Sequence, residues 1–411
     1  MITRRVFLQH GAMAVVGTAA IPSFLPRAAW GTASSQGNKR LVVIFQRGAA
    51  DGLNIVVPHA EPSYYAMRPS INIPRNQVID LNGFFGLHPA MAPFKPLWDQ
   101  GHLAIVHAAG SPDTTRSHFD AQDYMESGTP GVKSTMDGWL NRTLQSESAA
   151  GDVPFRAVAL GTSMPRILSG KASVVAVSNV KGFGIAGGNP AAAPLGNTFE
   201  AMYAQSVDAV LHGTGTETFE AVKMLKSTDP QHYSPAPGAN YPKGRFGDAM
   251  RQTAQLIKAN LGVQVAFADI GGWDHHVNEG AVEGQLAGAL RDFSQAIAAF
   301  WNDLGPLGED TVIVTMSEFG RTAHENGNRG TDHGHANVMF MLGGPVRGGR
   351  VYGRWPGLDP SQLNEGRDLA LTTDFRSVLG EAVARHLGNT QLNMVFPGFE
   401  NSLRNFLGYL G

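Results

Sequence analysis

The chain has 411 residues, with 32 Lys and Arg against 34 Asp and Glu, and only 16% of it is charged. That is below the quarter usual for globular proteins and leaves enough apolar sequence for a large core; a formal charge of −2 excludes the basic field of a nucleic-acid binder. Cysteine is absent, so disulfides and thiolate metal sites are excluded, and any ion must be held by oxygen and nitrogen donors.

The chain opens with Thr3-Arg4-Arg5-Val6-Phe7-Leu8, a twin-arginine pattern, followed by a weakly apolar segment from Gly11 to Leu25 and small residues around Ala29, Gly31 and Ala33. Residues 1–35 read as a cleavable export signal handled by the twin-arginine machinery, which generally carries folded proteins, so a metal could be loaded in the cytoplasm before crossing. The leader carries Arg4, Arg5 and Arg27 and no acid, which makes the remainder, 36–411, more acidic than the whole. Gly17 and Pro22 break the apolar run, which is too short to span a bilayer. The expectation is a periplasmic or secreted protein with no stable membrane anchor after cleavage.

The first strand is the apolar run Arg40 to Phe45, of the kind buried on both faces, and it ends in Arg47-Gly48-Ala49-Ala50-Asp51-Gly52. Pro89 to Trp98 reads as a short helix and Leu103 to His107 as the next strand. Ser117, a good N-cap, opens a helix through Glu126. From about Lys171 to Lys243 the chain turns rich in Gly, Pro, Ala and Ser, which predicts an insertion or lid (171–243) holding a helix near Phe219 to Leu225. Phe246, Met250, Ile257 and Leu261 mark a helix face. Val263 to Ile270 is a strand, and Leu286, Leu290, Phe293, Ile297, Trp301 and Leu304 stripe a longer helix. Val312 to Met316 and Val338 to Leu342 are strands, and Asp374 to Leu387 is a closing helix. Alternating strands and helices predict a three-layer α/β/α domain around a mostly parallel sheet, with its site beyond the carboxyl ends of the strands.

Three late motifs carry metal-ligand residue types at that edge. They are Gly271-Gly272-Trp273-Asp274-His275-His276, Ser317-Glu318-Phe319-Gly320-Arg321-Thr322 and Gly330-Thr331-Asp332-His333-Gly334-His335. Residues two apart in an extended turn project to one side, so Asp274 and His276 can converge on one ion while His275 points elsewhere, to substrate or solvent. His333 and His335 repeat the spacing, and Asp332 can orient an imidazole. Asp51 and Glu318 follow buried strands and are candidate ligands; Arg321 is either an anion-binding guanidinium or half of a structural ion pair with Glu318. Ser117 sits where helix amides favour an anion and is the candidate attacking hydroxyl, with Arg116 beside it to hold the anion and His118 as an alternative ligand. His88 and His107 read as packing histidines. No Gly-x-Ser-x-Gly elbow occurs, which argues against the serine hydrolases.

Together, the segment Arg47 to Asn54, Arg116-Ser117-His118-Phe119-Asp120 and the three late motifs resemble a bacterial twin-arginine-exported family, domain-of-unknown-function family 1501, related to the alkaline phosphatases and sulfatases. The resemblance implies an alkaline phosphatase-like fold and a site for one or two divalent ions, whether zinc, calcium or manganese. In that superfamily Asp51 and Ser117 would serve one metal, and Asp274, His276 and His333 or His335 a second. The remaining Asp-His or Asp-Asn pair falls at Ser317-Glu318, where the imidazole or amide is missing. The sulfatase signature is also absent: Arg116 precedes Ser117, Phe119 replaces a small residue, and no formylglycine is expected. The reading is an exported metal-dependent hydrolase of small phosphate or sulfate esters; the alternative is a metal-stabilised binding or cell-surface protein on the same fold that has lost the chemistry.

Overall fold

The structure, a computed structural model, describes residues 14–16, 39–146, 153–180, 221, 223–225, 227–228, 230–400 and 405–411. Its strands are β1 (Ala14–Val16), β2 (Arg40–Gln46), β3 (Val56–Val57), β4 (Ile79–Asp80), β5 (Gly86–Leu87), β6 (Leu103–Gly110), β7 (Ala157–Leu160), β8 (Val174–Val177), β9 (Val265–Ile270), β10 (Thr311–Ser317), β11 (Asn337–Gly343), β12 (Arg350–Tyr352) and β13 (Thr373–Asp374). Ten of them form one sheet in the order β1-β8-β7-β9-β2-β10-β11-β6-β12, with β13 also on β6; β3, β5 and β4 form a small second sheet.

From β8 to β10 the neighbours run parallel, and β11 lies antiparallel between β10 and β6. The expected three-layer, mostly parallel architecture is therefore present. The centre reads as continuous apolar runs because both faces are covered. In β2 the alternation sends Val42 and Ile44 into one core, with Leu286, Leu290, Phe293 and Ile297 of the helix Gln285–Leu304. Leu41, Val43 and Phe45 face a second core, with Trp139 and Leu140 of Trp139–Gln145 and Val378 and Leu379 of Phe375–Glu381. Truncating the fully buried Phe293 to Ala would cost about 3–5 kcal/mol.

Several expected elements change at their ends for local reasons. Pro89–Phe94 is a 3-10 turn with a non-helical Met91, followed by a short α-helix Lys95–Asp99; Pro93 and Pro96 lack the amides a continuous α-helix needs. The closing helix runs Phe375–Glu381 under an Asp374 cap and widens into a π-turn over Ala382–His386. Within the Gly/Pro-rich span, Val174–Val177 is β8 of the main sheet, parallel to β7. Residues 181–220 of that span, and most of the leader, lie outside the described residues. Ala14–Val16 pairs antiparallel with β8. No helix among the described residues is long and apolar enough to cross a membrane.

Register places the site. Gln46 pairs with Ser317 and with Ile270, so β2, β9 and β10 end level. Antiparallel β11 begins at that same edge, with Asn337 beside Ala109 near the end of β6. Five segments thus emerge together: those carrying Asp51, His118, Asp274, Glu318 and His333.

Candidate metal centre

His118, Asp274 and His333 present ligand atoms mutually within 4.8 Å. His333 Nε2 is the hub, 3.0 Å from His118 Nε2, 3.0 Å from His276 Nε2 and 3.3 Å from Asp274 Oδ1. Asp274 Oδ1 lies 2.9 Å from His276 Nε2, and Oδ2 lies 3.5 Å from His118 Nε2. Bonds of about 2.0–2.1 Å to a tetrahedral ion put ligand atoms roughly 3.3 Å apart, close to all of these separations.

The second nitrogens decide what the rings can do. His118 Nδ1 faces Glu318 Oε1 at 2.9 Å, His276 Nδ1 faces Asp332 Oδ1 at 3.1 Å, and His333 Nδ1 faces the Arg116 carbonyl at 2.8 Å. A carboxylate or carbonyl only accepts, so each neutral ring carries its proton on Nδ1 and turns an Nε2 lone pair toward the others. With that protonation, the His118 and His333 lone pairs and the Asp274 carboxylate face one space, with the His276 lone pair beside Asp274 and His333, an arrangement that a cation between them would stabilise. Imidazoles anchored through their outer nitrogens are also how proteins prepare metal ligands. The residues present fit a divalent ion.

Local chain geometry builds this arrangement. The Trp273 indole is buried and donates to the Ile270 carbonyl, 2.9 Å away, which pins the turn carrying Asp274 and His276 to the end of β9. Gly48 packs against that turn: its φ is +118°, and a Cβ there would stand 2.9 Å from the Asp274 amide nitrogen. Gly320 and Gly334 exchange backbone bonds across the strip that holds His333, with Gly334 N donating to Gly320 O at 2.8 Å and Gly320 N to His335 O at 2.7 Å. Phe319 wedges its ring 5.0 Å from both His118 and His333.

Charges tune the centre. A hydrogen bond to Glu318 raises His118 above the usual histidine range. Burial lowers His333. Partial burial would raise Asp274, but Arg321, His276 and His118 outweigh it and hold the carboxyl below its ordinary value. Burial likewise opposes ionisation of Glu318, but His118 and Gln122 keep it low.

The remaining expected site residues are placed as follows. Asp274, His276 and His333 come together, joined by His118, which the sequence offers only as an alternative. Glu318 is buried one layer out; it accepts from His118, from the Gly48 amide at 2.8 Å and from Gln122 at 2.8 Å. The imidazole missing beside Glu318 in sequence is supplied in space by His118. Arg321 is buried and donates to Asp274 Oδ1 at 2.6 Å and to Thr331, so it is paired with Asp274, not Glu318. Arg116 donates to Glu365 at 2.8 Å and Asp368 at 2.7 Å. Ser117 caps the helix His118–Ser127, its Oγ accepting the Asp120 amide at 3.4 Å. His335 is buried, in a field set by Asp368 and Arg116. His275 is buried as well and is not directed at solvent.

Asp51 stands apart from the centre. Its carboxylate is gripped by both terminal nitrogens of the fully buried Arg68. Burial opposes its charge, but Arg68 prevails and lowers its pKa; Glu279 hydrogen-bonds it and is itself driven well above the carboxyl range by burial and by Asp51. Neither Arg68 nor Glu279 carried a signal in sequence. His88 and His107 are packing groups: His107 Nε2 meets the Val56 carbonyl at 2.9 Å, and burial lowers its pKa to about 4.

The family described as "Protein of unknown function (DUF1501)" matches residues 104–395. No curated protein matches the chain. Among solved structures, the lipoteichoic acid synthase LtaP from Listeria monocytogenes is similar at 9% identity and a TM-score of 0.32, over 74% of this chain and 65% of that one. The chain thus spans less than two thirds of that synthase. The PsFucS1 sulfatase from Pseudoalteromonas sp. is similar at 13% identity and a TM-score of 0.39, over 90% of this chain and 72% of that one. At these scores neither likeness bears on activity.

Proposed function

The chain belongs to the DUF1501 family, whose description assigns no activity, and from the metal centre itself we propose an exported metal-dependent hydrolase of phosphate or sulfate esters. The observation that carries this is the convergence of the His118 and His333 Nε2 atoms and the Asp274 carboxylate, with His276 Nε2 beside the latter two and each imidazole anchored by an acceptor on its other nitrogen. Imidazole nitrogens with a carboxylate suit zinc better than calcium, which takes six to eight oxygens. A bound divalent ion supplies Lewis acidity toward an ester oxygen and a lowered pKa for a coordinated water or hydroxyl.

The protein's own groups do the rest. Glu318 holds His118, Asp332 holds His276 and the Arg116 carbonyl holds His333, so the ligands need no rearrangement on binding. Arg321 keeps Asp274 ionised and in place. The half-exposed ligands leave one side open to a small anionic ester. Water attacks the phosphorus or sulfur and its proton leaves with the departing alcohol; or Ser117 attacks first, its proton leaving with the alcohol, and water then cleaves the phosphate or sulfate from Ser117 and restores its hydroxyl. The twin-arginine pattern at Arg4-Arg5 supports export to the periplasm or beyond.

One observation favours a second reading, a metal-stabilised binding protein without turnover: Arg116 and Arg321, the two candidate anion-binding cations, are already paired with carboxylates. A panel of phosphate monoesters, phosphate diesters and sulfate esters separates the two. Turnover that a chelator abolishes, that zinc or manganese restores and that Asp274→Ala removes supports the hydrolase. Metal binding without turnover anywhere in the panel leaves the binding protein.

A further inference from the structure

A cleft of about 530 Å³ lies at the carboxyl ends of β2 and β9, within the roughly 300–1,000 Å³ usual for small-molecule sites. Three parts of the chain line it: the strand ends, through Arg47 and Asp269; the segment 242–247, which opens the helix Arg245–Lys258; and the helix Gln285–Leu304, through Asp292. None of His118, Asp274, His276 and His333 belongs to the lining, so the cleft is a place apart from the metal centre.

Its lip is built in advance. Tyr233 and Tyr241 donate to the buried Asp303, the latter at 2.8 Å, and Lys258 reaches the same carboxylate at 2.8 Å. These bonds fasten the segment leading to Lys243 onto the helix Gln285–Leu304. Pro242 then lies so close to the next helix that a Cβ on Gly247 would stand 2.0 Å from the Pro242 carbonyl oxygen. Lys243 and Arg245 are exposed, and neither their side chains nor that of Asp292 makes a hydrogen bond or ion pair among the described residues. Asp269 spends Oδ2 on Arg47, at 2.7 Å, and keeps Oδ1 open.

A ligand entering the cleft displaces water from these groups, so its own groups must replace that water. Arg47 and Asp269 neutralise one another, which leaves Lys243 and Arg245 against Asp292, an excess of one positive charge. That excess calls for an anion, and guanidinium and ammonium donors suit the oxygens of a phosphate or sulfate. The carboxylates only accept, so the rest of the ligand needs donors. Hydroxyls supply them without a further positive charge, whereas an ammonium would undo the match. Pro242, Ile270 and Ala289 add apolar surface for a carbon skeleton.

We propose that this cleft binds a phosphorylated or sulfated sugar, with its anionic group at Lys243 and Arg245 and its hydroxyls at Asp269 and Asp292. The site stands on the cleft alone and does not depend on ester turnover at the metal centre.

The test is calorimetric titration of the full chain with glucose 6-phosphate, glucose 6-sulfate, glucose and inorganic phosphate. At least one anionic sugar should bind about tenfold or more tighter than glucose and than inorganic phosphate, the worth of a single hydrogen bond to a charged group. The tighter of the two names the anion. Lys243→Gln combined with Arg245→Gln, at exposed positions where folding tolerates change, should cancel most of the gain over glucose. Asp292→Ala should shrink the gain over inorganic phosphate, since it removes an acceptor for the hydroxyls. No binding by either anionic sugar overturns the site, as does equal affinity for glucose or inorganic phosphate. A gain that survives unchanged in the double variant or in Asp292→Ala also overturns it. So does sugar affinity that Asp274→Ala abolishes while the double variant keeps it, which would seat the sugar at the metal centre.

Discussion

Asp51 and Asp274 stand in matching places, each a few residues past the carboxyl end of a parallel strand at the centre of the sheet, and their surroundings are opposite. Around Asp51 the chain is closed: Arg68 fills both carboxylate oxygens, Glu279 hydrogen-bonds it, and all three are buried. Around Asp274 the chain is open: Arg321 occupies one oxygen, three imidazole nitrogens gather beside it, and the ligands remain half-exposed. A buried network even joins the two, from Asp274 through Arg321 to Thr331 and on to Glu279 and Asp51. The role of a carboxylate at a strand end is set by which cation reaches it first. A guanidinium that fills both oxygens makes a strut; one that leaves a face free beside imidazoles leaves a carboxylate able to take up an ion.

The largest expected effect is on the closed side. Arg68→Met strands Asp51 without its partner in a dry interior and should lower unfolding free energy by about 3–5 kcal/mol in denaturant titration. Metal affinity at the surviving centre should stay near that of the parent. If the variant is instead as stable as the parent but cannot bind metal, the strut and the ligand have been assigned the wrong way round.

On the open side, Glu318→Gln keeps the shape of the His118 anchor and removes its charge. Metal affinity should fall about 10–100-fold in a chelator competition. An unchanged affinity would mean that His118 is not held as a ligand.

Acid sharpens the contrast further. His107 and His386, both pushed by burial to about 4, are neutral in the fold and titrate near 6.5 when unfolded. Their folded values are depressed, so their contribution is complete above about 6.5 and drains away as pH falls toward 4. Metal affinity should also weaken with acid, with His118, raised by its bond to Glu318, taking a proton before His333, which burial lowers. Thermal melts and metal titrations across that range read the two effects separately; a flat metal affinity from neutral to pH 5 would argue against imidazole ligation.

The smallest effect is at Ser117. Ser117→Ala removes a cap bond to Asp120 and should cost about 1 kcal/mol with metal content intact. Complete loss of ester turnover in that variant assigns the attacking hydroxyl, and full retention assigns water.

Much of the fold was legible because its strands are apolar on both faces; runs such as Arg40 to Phe45 and Val312 to Met316 cannot easily be anything else. The helices Arg245–Lys258 and Gln285–Leu304 showed themselves through apolar stripes at helical spacing. Within the site, Asp274 and His276 were readable from a two-residue spacing in a glycine turn, and the orienting role of Asp332 from its place before His333. Motif spacing reports only neighbours in sequence. The partnership of Glu318 with His118 spans 200 residues and that of Asp51 with Arg68 crosses a loop, so both depend on how segments meet at the sheet edge. His118 lay beside a better-looking serine, and Arg68 in an undistinguished Met-Arg-Pro. Neither shows its role until register brings it to its partner.

The most direct test is metal stoichiometry by mass spectrometry on the reconstituted full chain, beside His118→Ala and Asp51→Asn. The account predicts one equivalent in the parent and in folded Asp51→Asn, and loss of bound metal in His118→Ala. Metal kept by His118→Ala and lost by Asp51→Asn, or a well-folded parent that takes up none, would contradict it.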